Sequence, residues 1–566
     1  MSDYNAERNY AVSVTQQIQL LQQWEADTMF RSYLKTQSEP SHDNPLDMQI
    51  VWARMKVAKV RARGLSELRE MIAPDQSYEI DVELASELFR YRTLAWMCFR
   101  INDLPTEILC EILRLVVYST SQRNPMLAKF QFTWVCRHWR ATALSDGYLW
   151  SQIIFTDRPP WARSIECFRR AGNWALDIII PLPPKSPGNP AEPAAITPAR
   201  MTWLLDILLQ KIATLQRVTI STDSIKTALS VIERFWTHGS APTLEHFELH
   251  RFGQPHMFEL PPEIETTFDG ALPLCKGQTP RLKNIRLNGI PVNWEETTWS
   301  GDLYSLDLRR FWIANCPSEA RFRQMLSGGN LRSLHLTAAM PQYDEGSLGM
   351  WRDTQPIFLP RLREIVFGDL SVPYARKTFA VIHAPNLRML ALQLMDGDDY
   401  SPVFGMLAGR FPELRILALH EVGILRAPAA YKKWALFLQS IPKVFSLKVG
   451  RLDSAMVDTL VLKAETYIVD SDADLDPNRQ PLPPLLPALQ CVEFVGVRCS
   501  DVRNFVTWRR DQVHTPIAKA YVLAPPPEDP LTPEFVGELS PQVGLIIDPN
   551  IIQTEEADLR ARALLG

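Results

Sequence analysis

The side chains best suited to catalysis or metal binding are cysteine and histidine, and neither type forms a recognisable site in this sequence. The eight cysteines include no C-x-x-C pair, and the ten histidines do not stand at metal-ligand spacing from them. Scattered thiols are typical of reduced proteins, in which Cys fills small apolar spaces. The sequence also lacks G-x-S-x-G, H-E-x-x-H, a Walker-type phosphate loop and a dinucleotide fingerprint. We therefore expect a protein that is not an enzyme, has no metal or cofactor, and acts by recognition.

Charge narrows the class of partner. The net charge of -4 over 566 residues gives no overall attraction to nucleic acid or to an anionic membrane. An acidic run from Asp470 to Asp476 lacks the glycine and the terminal glutamate of an EF-hand, which favours a solvated loop over a calcium site. The expected partners are therefore proteins, with no nucleic acid and no membrane among them.

A short phrase of the form L-x-x-L-x-L recurs through the second half of the chain and predicts the elements that would present a binding surface. Its ten copies begin at Leu215, Leu244, Leu282, Leu303, Leu331, Leu362, Leu387, Leu414, Val444 and Leu489. Recurrence at roughly 20 to 30 residues is the signature of a leucine-rich-repeat solenoid. Proline or glycine precedes most copies by two residues, where it ends a helix and starts a strand. We predict parallel strands on a concave face and helices on a convex face.

The concave face has a column of side chains that changes character along the array. Alternation along each strand sends the fifth residue of every copy to this face. The column consists of Thr219, Glu248, Arg286, Asp307, His335, Val366, Ala391, Ala418, Lys448 and Glu493. Its apolar centre is a hypothetical docking site for a protein substrate. The expected substrate-binding residues are His335, Val366, Met389, Ala391, Ile416, Ala418, His420 and Lys448. An equally weighted alternative is that the C-terminal tail, Pro541 to Ile552, covers the patch.

A second column is basic and directly follows the first apolar residue of several copies. Its members are Lys283, Arg332, Arg363, Arg388 and Arg415. Such a ladder could bind a phosphate or an acidic segment of a target. The favoured interpretation from sequence is that these residues are solvated or cap the carboxyl ends of the preceding helices.

Ahead of the array, the segment from Asn102 to Phe155 has three ordered motifs. Leu-Pro-x-Glu-Ile-Leu begins at Leu104, Val-Cys-Arg-His-Trp-Arg begins at Val135, and Leu-Trp-x-x-Ile begins at Leu149. Asp103 would cap a helix whose first residue is Pro105, since proline wastes no backbone donor at that position. The apolar residues that follow recur at helical spacing and form a stripe wider than a three-helix unit needs. Surplus apolar surface on a small module indicates a partner.

These three motifs resemble an F-box. The order of F-box and leucine-rich repeats is similar to that of the large F-box families of mushroom-forming fungi, although the stretch between Leu113 and Val135 is longer than in short family members. The resemblance implies a substrate receptor of an SCF-type cullin-RING ubiquitin ligase, in which the F-box binds a Skp-family adaptor and, through it, a cullin. The repeats would bind the protein substrate. The residues that the resemblance assigns to adaptor docking are Leu104, Pro105, Ile108, Leu109, Ile112, Leu113, Trp139 and Trp150. The alternative is a repeat scaffold whose F-box-like module docks to no ligase.

The predicted fold class is α/β, with a helical N-terminal region and a three-helix F-box before an irregular solenoid. We expect the helical region over 1–100, the F-box over 101–156, a linker and the start of the repeat domain over 157–212, the solenoid over 213–523 and a tail over 524–566. Within the first region, Val12 to Leu34 and Ile50 to Ile72 have helical patterns. The N-terminus has no signal-peptide pattern and no apolar run is long enough to span a bilayer, so the expected location is cytoplasmic, nuclear or both.

Overall fold

The structure is a computed structural model of the full chain. It describes residues 45–70, 78–98, 101, 104–119, 125–182, 196–252, 272–277, 279–297, 302–311, 315–395, 399–452, 456, 460 and 484–547. The chain divides into two compact units, Met1–Ser145 and Asp146–Gly566. We call them the helical unit and the sheet unit. The boundary between them falls inside the segment that the sequence assigns to the F-box.

The described part of the helical unit begins with a pair of long helices, α1 (Pro45–Glu70) and α2 (Tyr78–Cys98). Buried Val51, Met55, Ala58 and Ala62 recur at helical spacing and give α1 one apolar face. Ion pairs join residues late in α1 to residues early in α2, as between Arg69 and Asp81, so the two helices run antiparallel. The helix that the sequence predicts over 50–72 corresponds to α1. The one predicted over 12–34 lies outside the described residues.

Three shorter helices follow in the helical unit: α3 (Thr106–Tyr118), α4 (Pro125–Val135) and α5 (Arg137–Ser145). The helix α3 begins at Thr106 with Pro105 as its N-cap, one residue later than predicted, and Asp103 lies outside the described residues. A break at Cys136 separates α4 from α5. There the Arg140 Nε donates to the Thr133 carbonyl oxygen at 2.7 Å, which satisfies an acceptor near the end of α4.

The sheet unit is built on one sheet of fourteen parallel strands that follow each other in chain order. These strands are β1 (Gln152–Ile154), β2 (Leu176–Ile180), β3 (Leu215–Thr222), β4 (His246–Arg251), β5 (Asn284–Asn288), β6 (Ser305–Arg309), β7 (Ser333–Thr337), β9 (Glu364–Gly368), β11 (Met389–Met395), β12 (Ile416–Val422), β13 (Ser446–Gly450), β14 (Cys491–Val495), β15 (Lys519–Leu523) and β16 (Gly544–Ile546). Two further strands, β8 (Ile357–Phe358) and β10 (Ile382–His383), pair with each other. Chain-order parallel pairing is the topology that a stacked repeat produces.

Helices connect the strands. The α-helices of this unit are α6 (Ala162–Arg170), α7 (Pro198–Leu208), α8 (Ile225–His238), α9 (Glu319–Leu326), α10 (Glu345–Gly349), α11 (Val372–Val381), α12 (Ser401–Leu407), α13 (Pro428–Gln439), α14 (Cys499–Asp511) and α15 (Pro533–Leu539). Short 3-10 helices span Gly147–Trp150, Leu209–Thr214, Leu274–Gly277 and Trp351–Asp353. The mixed α/β class and the large parallel sheet are as predicted. In the described part of the chain, every helix is too short or too polar to cross a membrane.

The helices pack on the sheet face that holds the fourth and sixth residues of each repeat. Phe247 of β4 meets Phe235 of α8 with ring centroids 5.2 Å apart, and Phe367 of β9 meets Phe379 of α11 at 4.9 Å. Each such aromatic side chain contributes about 1.5–3 kcal/mol by burial. The fifth residues therefore lie on the opposite face, which we call the open face.

The sheet is longer at both ends than the predicted array. Strand β2 and helices α6 and α7 lie in the segment predicted as a linker and the start of the repeat domain, and strand β1 lies at the end of the segment predicted as the F-box. Helix α15 and strand β16 lie in the predicted tail, and β16 pairs with β15 at the end of the sheet. The described part of that tail thus extends the sheet and does not cover the apolar patch, so this alternative is wrong for residues 541–547. Strands β1 and β2 were not predicted because neither has the L-x-x-L-x-L phrase.

A left-handed residue stands at the carboxyl end of most strands, with a φ between 44° and 68° in each case. Seven of these residues directly follow a strand: Gly289, Arg310, Ala338, Asp369, Arg451, Gly496 and Ala524. Leu394 and Glu421 are the last residue but one of β11 and β12. At Arg310 and Ala338, the backbone N–H donates to the carbonyl of the next strand at 2.8 and 2.9 Å. The turn therefore adds one hydrogen bond beyond the strand. Most of these residues are not glycine, so composition alone did not reveal the turn.

Candidate functional site

The predicted column of fifth residues forms a continuous row on the open face. Register places Asp307 opposite His335, His335 opposite Val366, and Val366 opposite Ala391. The same row continues through Ala418, Lys448 and Glu493 to Tyr521 and Ile546. The prediction of this alignment from the repeated phrase is confirmed.

The predicted apolar patch exists but is closed to solvent. Val366, Met389, Ala391 and Ile416 form a buried cluster, and half-buried Ala418 and Phe445 pack against it. Ala391 and Ile416 are each only 1% exposed. A target could touch little of the cluster itself. The expectation that these side chains receive a target's apolar anchor therefore needs correction, because they form a second core on the open face.

The residues predicted to flank the patch also have partners within the sheet. The Lys448 Nζ lies 3.2 Å from a carboxylate oxygen of Glu493 on the next strand. The half-buried His420 ring lies against Gly450, where a Cβ would clash with it. Lys448 is thus already neutralised by a neighbouring strand, and Gly450 makes room for an imidazole.

His335, at the other edge of the patch, belongs to a buried ionic network centred on Asp307. The Asp307 carboxylate is 1% exposed and accepts hydrogen bonds from the Nε atoms of Arg286 and Arg309 at 2.8 and 2.7 Å. The His335 Nδ1 lies 3.5 Å from the same carboxylate, and its Nε2 lies 3.2 Å from the Glu364 carboxylate. These groups come from four neighbouring strands, β5, β6, β7 and β9.

Burial and neighbouring charges shift the pKa values of Asp307 and His335 in opposite directions. Burial would raise the pKa of Asp307, but hydrogen bonds from His335 and Arg309 together with their positive charges lower it to about 2. Burial would lower the pKa of His335, but hydrogen bonds to Asp307 and Glu364 and the charges of both carboxylates raise it. Each group therefore stabilises the charged form of the other. Sequence reasoning singled out His335 but missed the network, although Arg286, Asp307 and His335 stand in consecutive places of one column.

Four residues of the predicted basic column also lie side by side on adjacent strands. The backbone N–H groups of Arg363, Arg388 and Arg415 each donate at 2.8 Å to the carbonyl of the previous member, beginning with Arg332. These four residues stand at the amino-terminal ends of β7, β9, β11 and β12, and we call them the arginine row. Tyr304 precedes the row and Phe445 follows it in the same backbone ladder.

In the helical unit, α3 has two apolar stripes side by side. Leu109, Leu113 and Val117 recur at i, i+4 and i+8 and are buried. Ile108, Ile112 and Leu115 recur at i, i+4 and i+7, and Ile108 and Leu115 are 48% and 71% exposed. We call this second set the exposed stripe. Because the core uses only the first stripe, the exposed stripe is surface that a partner could cover.

Helix α4 has exposed apolar side chains as well. Leu127, Trp134 and Val135 are between 44% and 67% exposed. Leu127 and Trp134 are seven residues apart and so lie on one side of the helix. These residues were not among the predicted docking set. A signal was present in the sequence, since Trp134 is a large aromatic residue in a module too small to bury it.

The predicted docking residues fall into two groups. Pro105 and Ile108 are exposed, and Leu104, Ile112 and Trp139 are half-buried. Leu109, Leu113 and Trp150 are buried, so their assignment as contact residues needs correction. Leu109 and Leu113 belong to the core of the helical unit. Trp150 lies in the sheet unit, where the Arg170 guanidinium carbon lies 5.0 Å from its ring centroid.

The chain matches no protein-family model, and no curated protein matches it. Among the residues that the structure describes, no group of three or more His, Cys, Asp or Glu side chains is arranged to hold a metal ion. The candidate sites are therefore the exposed stripe, the open face of the sheet, and the arginine row at the amino-terminal ends of four central strands.

Proposed function

We propose that the protein is a substrate receptor of an SCF-type cullin-RING ubiquitin ligase. In this proposal the helical unit binds a Skp-family adaptor and, through it, a cullin, and the sheet unit binds a protein substrate. The receptor performs no catalysis itself. It raises the local concentration of substrate beside the ubiquitin-charged enzyme. Its place of action is the cytoplasm, the nucleus or both.

The observation that carries the proposal is the exposed stripe of α3. A helix that packs by one face needs one apolar stripe, and α3 has two. Covering an isoleucine or leucine side chain contributes about 1.5–3 kcal/mol, so a partner that covers Ile108 and Leu115 gains a substantial part of its binding free energy there. The stripe lies in the segment that resembles an F-box. Both features favour an adaptor as the partner.

The docking surface would consist of the accessible part of the predicted set. Pro105 and Ile108 supply contact area at the start of α3, and Ile112 continues it by one turn. Leu109 and Leu113 would contribute indirectly, because their burial against the rest of the helical unit fixes which face of α3 points outward. Trp139 packs on Phe132 with ring centroids 6.0 Å apart, which holds α5 against α4.

One observation favours the alternative of a repeat scaffold that docks to no ligase. Trp150, from the third F-box-like motif, is completely buried in the sheet unit together with Leu149. The third F-box-like motif is therefore explained by packing beside the first strands of the sheet, and it needs no adaptor. The two functions differ in whether the exposed stripe has a partner.

Co-precipitation of a tagged full-length chain with a purified Skp-family adaptor separates the two functions. We expect wild type to bind the adaptor and Ile108→Glu to lose at least about tenfold in affinity, because a charge would then face an apolar interface. Leu104→Ala combined with Pro105→Ala should weaken binding as well. Val60→Glu is the matched control, since Val60 is an equally apolar and 72% exposed residue of α1 in the same unit.

The scaffold function is supported if wild type binds no adaptor. If wild type binds the adaptor but Val60→Glu and Ile108→Glu weaken binding equally, the assignment of adaptor docking to the exposed stripe is wrong. Circular dichroism of both variants verifies that each has kept its helices.

A further inference from the structure

Helix α1 has an exposed apolar ridge on the side away from its buried face. Successive residues of a helix turn by about 100° around its axis, and the buried side chains of α1 all lie on one side. Val57, Val60 and Leu68 lie on the other side and are 57%, 72% and 46% exposed. We call these three residues the α1 ridge. Because the packing of α1 within its unit does not cover the α1 ridge, a partner could contact it.

Basic side chains line the α1 ridge on both sides. Lys56, Lys59 and Arg63 recur at i, i+3 and i+7 and lie along one side of it. Arg54 and Arg61, seven residues apart, lie along the other side. All five residues are exposed, and the stretch between the first and the last of them has no acidic residue. We call these two sets the basic rows of α1.

Carboxylates of the helical unit compensate only part of this charge. The Arg61 Nη1 lies 3.5 Å from a carboxylate oxygen of Glu87, and the Arg63 Nε lies 2.9 Å from one of Glu67. The two arginine side chains are 64% and 83% exposed, so water weakens both ion pairs. The other three members of the basic rows form no ion pair with any residue that the structure describes. The outward side of α1 is therefore locally positive.

The whole chain and this surface differ in the charge that a partner meets. The expectation that no membrane is among the partners rests on the net charge of -4 over the whole chain. At physiological ionic strength, exposed charges further apart than a Debye length of about 8 Å are largely screened from each other. A surface in contact with α1 is therefore attracted by the basic rows, whatever the charge of the rest of the chain.

We propose that the outward side of α1 binds an anionic membrane surface, with the basic rows at the lipid headgroups and the α1 ridge at the boundary with the acyl chains. Lysine and arginine suit this place because their long stems pack on apolar surface while their charges reach the headgroups. The binding is peripheral, since no helix in the described part of the chain can cross a membrane. This inference goes beyond the proposed function and does not depend on it.

Other partners would leave part of this surface unused or opposed. A second copy of the chain would bring basic rows against basic rows, which repel each other. Nucleic acid would pair with the basic rows, but its phosphates offer nothing apolar to Val57 and Val60. Residues 52–63 also contain no Ser, Thr, Asn or Gln, the uncharged side chains that commonly contact phosphate and sugar. An anionic membrane surface matches both the charge and the apolar ridge.

Co-sedimentation of the full-length chain with lipid vesicles tests the proposal directly. The vesicles consist of phosphatidylcholine alone or of phosphatidylcholine with about one-third phosphatidylserine. We expect the affinity for the anionic vesicles to be at least about tenfold higher and to fall as salt increases, because the basic rows supply the attraction. Equal binding to both kinds of vesicle, or no binding to the anionic ones, would overturn the proposal.

Two pairs of substitutions assign the binding to α1. Lys56→Glu combined with Lys59→Glu should reduce the affinity for anionic vesicles at least about tenfold, because it reverses two charges of one basic row. Val57→Ser combined with Val60→Ser leaves the net charge unchanged and should reduce the affinity about threefold or more, because it removes apolar contact with the membrane. All four side chains are exposed, and circular dichroism verifies that both variants keep their helices.

The matched control is Arg200→Glu combined with Arg281→Glu, which changes the net charge equally at two exposed positions of the sheet unit. It should leave vesicle binding unchanged. The proposal is overturned if this control weakens vesicle binding as much as the lysine pair does, or if the valine pair has no effect. It is also overturned if a double-stranded oligonucleotide binds in a lysine-dependent way while the anionic vesicles do not bind.

Discussion

Two apolar surfaces in this protein have similar sequence patterns and opposite exposure. The patch on the open face of the sheet, with Ala391 and Ile416, is closed by its neighbours. The exposed stripe of α3, with Ile108 and Leu115, is open to solvent. In a stacked sheet each strand covers the next, so an apolar residue at the centre of the array is buried by repetition. A helix at the surface of a small unit has no such neighbour on every side.

The difference teaches that an apolar column on a repeat face is weak support for a binding site until its exposure is known. On the sheet, what stays accessible is the polar and charged margin, including the arginine row. On the helical unit, the accessible part is apolar.

The sharpest way to break this comparison is to make the same substitution at both surfaces. Ile416→Asp should destabilise the sheet unit by about 3 kcal/mol or more, because it leaves a charge buried without a partner. Ile108→Asp should cost much less, about 1 kcal/mol or under, because about half of the side chain is already exposed to water. Urea unfolding of the full-length variants, with hydrogen exchange to localise the change, measures both. Equal losses at the two positions would show that the comparison is wrong.

Asp307→Asn tests whether the ionic network supports the sheet beside the patch. Losing the carboxylate charge should cost about 2 kcal/mol at pH 7, less than for a dry ion pair because Arg286 and Arg309 are half-exposed and can turn to water. The pKa of Asp307 is lowered to about 2, so its contribution is present above the unfolded-state pKa of about 4 and is lost as the pH falls toward 2. The stability difference between wild type and variant should therefore vanish near pH 2. A constant difference from pH 7 to pH 2 would contradict this assignment.

His335→Gln should have a smaller effect with the opposite dependence on pH. Burial works against the imidazolium, but the two carboxylates raise the pKa of His335. Its contribution is therefore complete below the unfolded-state pKa of about 6.5 and is lost as the pH rises through the folded-state value. Urea titrations of wild type and variant from pH 5 to pH 9 should show a difference that shrinks with increasing pH. A stability difference between wild type and variant that stays constant from pH 5 to pH 9 would argue against a charged His335.

The smallest effects are expected from two exposed leucines. Leu394 has a φ of 55°, a conformation that costs a non-glycine residue about 1 kcal/mol, so Leu394→Gly should stabilise the sheet by up to about 1 kcal/mol. Leu115→Gly in the interior of α3 should destabilise the helical unit by about 1 kcal/mol, because glycine disfavours a helix. Thermal unfolding of the two variants should give shifts of opposite sign. Shifts of the same sign would refute the backbone assignment at Leu394.

The repeated phrase was enough to predict the strand register, because position within L-x-x-L-x-L fixes which side chains share a face. It could not predict that Ala391 is buried, since that depends on its packing with Met389 of the same strand, Ile416 of β12 and Phe445, which directly precedes β13. Strands β1 and β2 were missed because they do not have the phrase. The register already placed Arg286, Asp307 and His335 on neighbouring strands, but the ionic network was missed because the burial of Asp307 and the contacts from Arg309 and Glu364 depend on side-chain packing.

In the helical unit, the sequence predicted α3 and its excess of apolar residues but not which residues are outward. Leu109 and Ile108 are neighbours in the chain, and one is buried while the other is exposed. Only the packing of α4 and α5 decides between them. The sequence also could not predict which unit contains Trp150. Its motif follows directly after the helices in the chain, but the residue is buried in the sheet unit.

The most direct test of the proposed function is hydrogen exchange of the full-length chain with and without a purified Skp-family adaptor, read by mass spectrometry. We expect the adaptor to slow exchange in α3, from Thr106 to Tyr118, while α1 and the central strands β9, β11 and β12 exchange at unchanged rates. The Ile108→Glu variant should show no such slowing. Unchanged exchange in α3 of wild type at saturating adaptor would contradict the proposal that this helix docks the protein to a ubiquitin ligase.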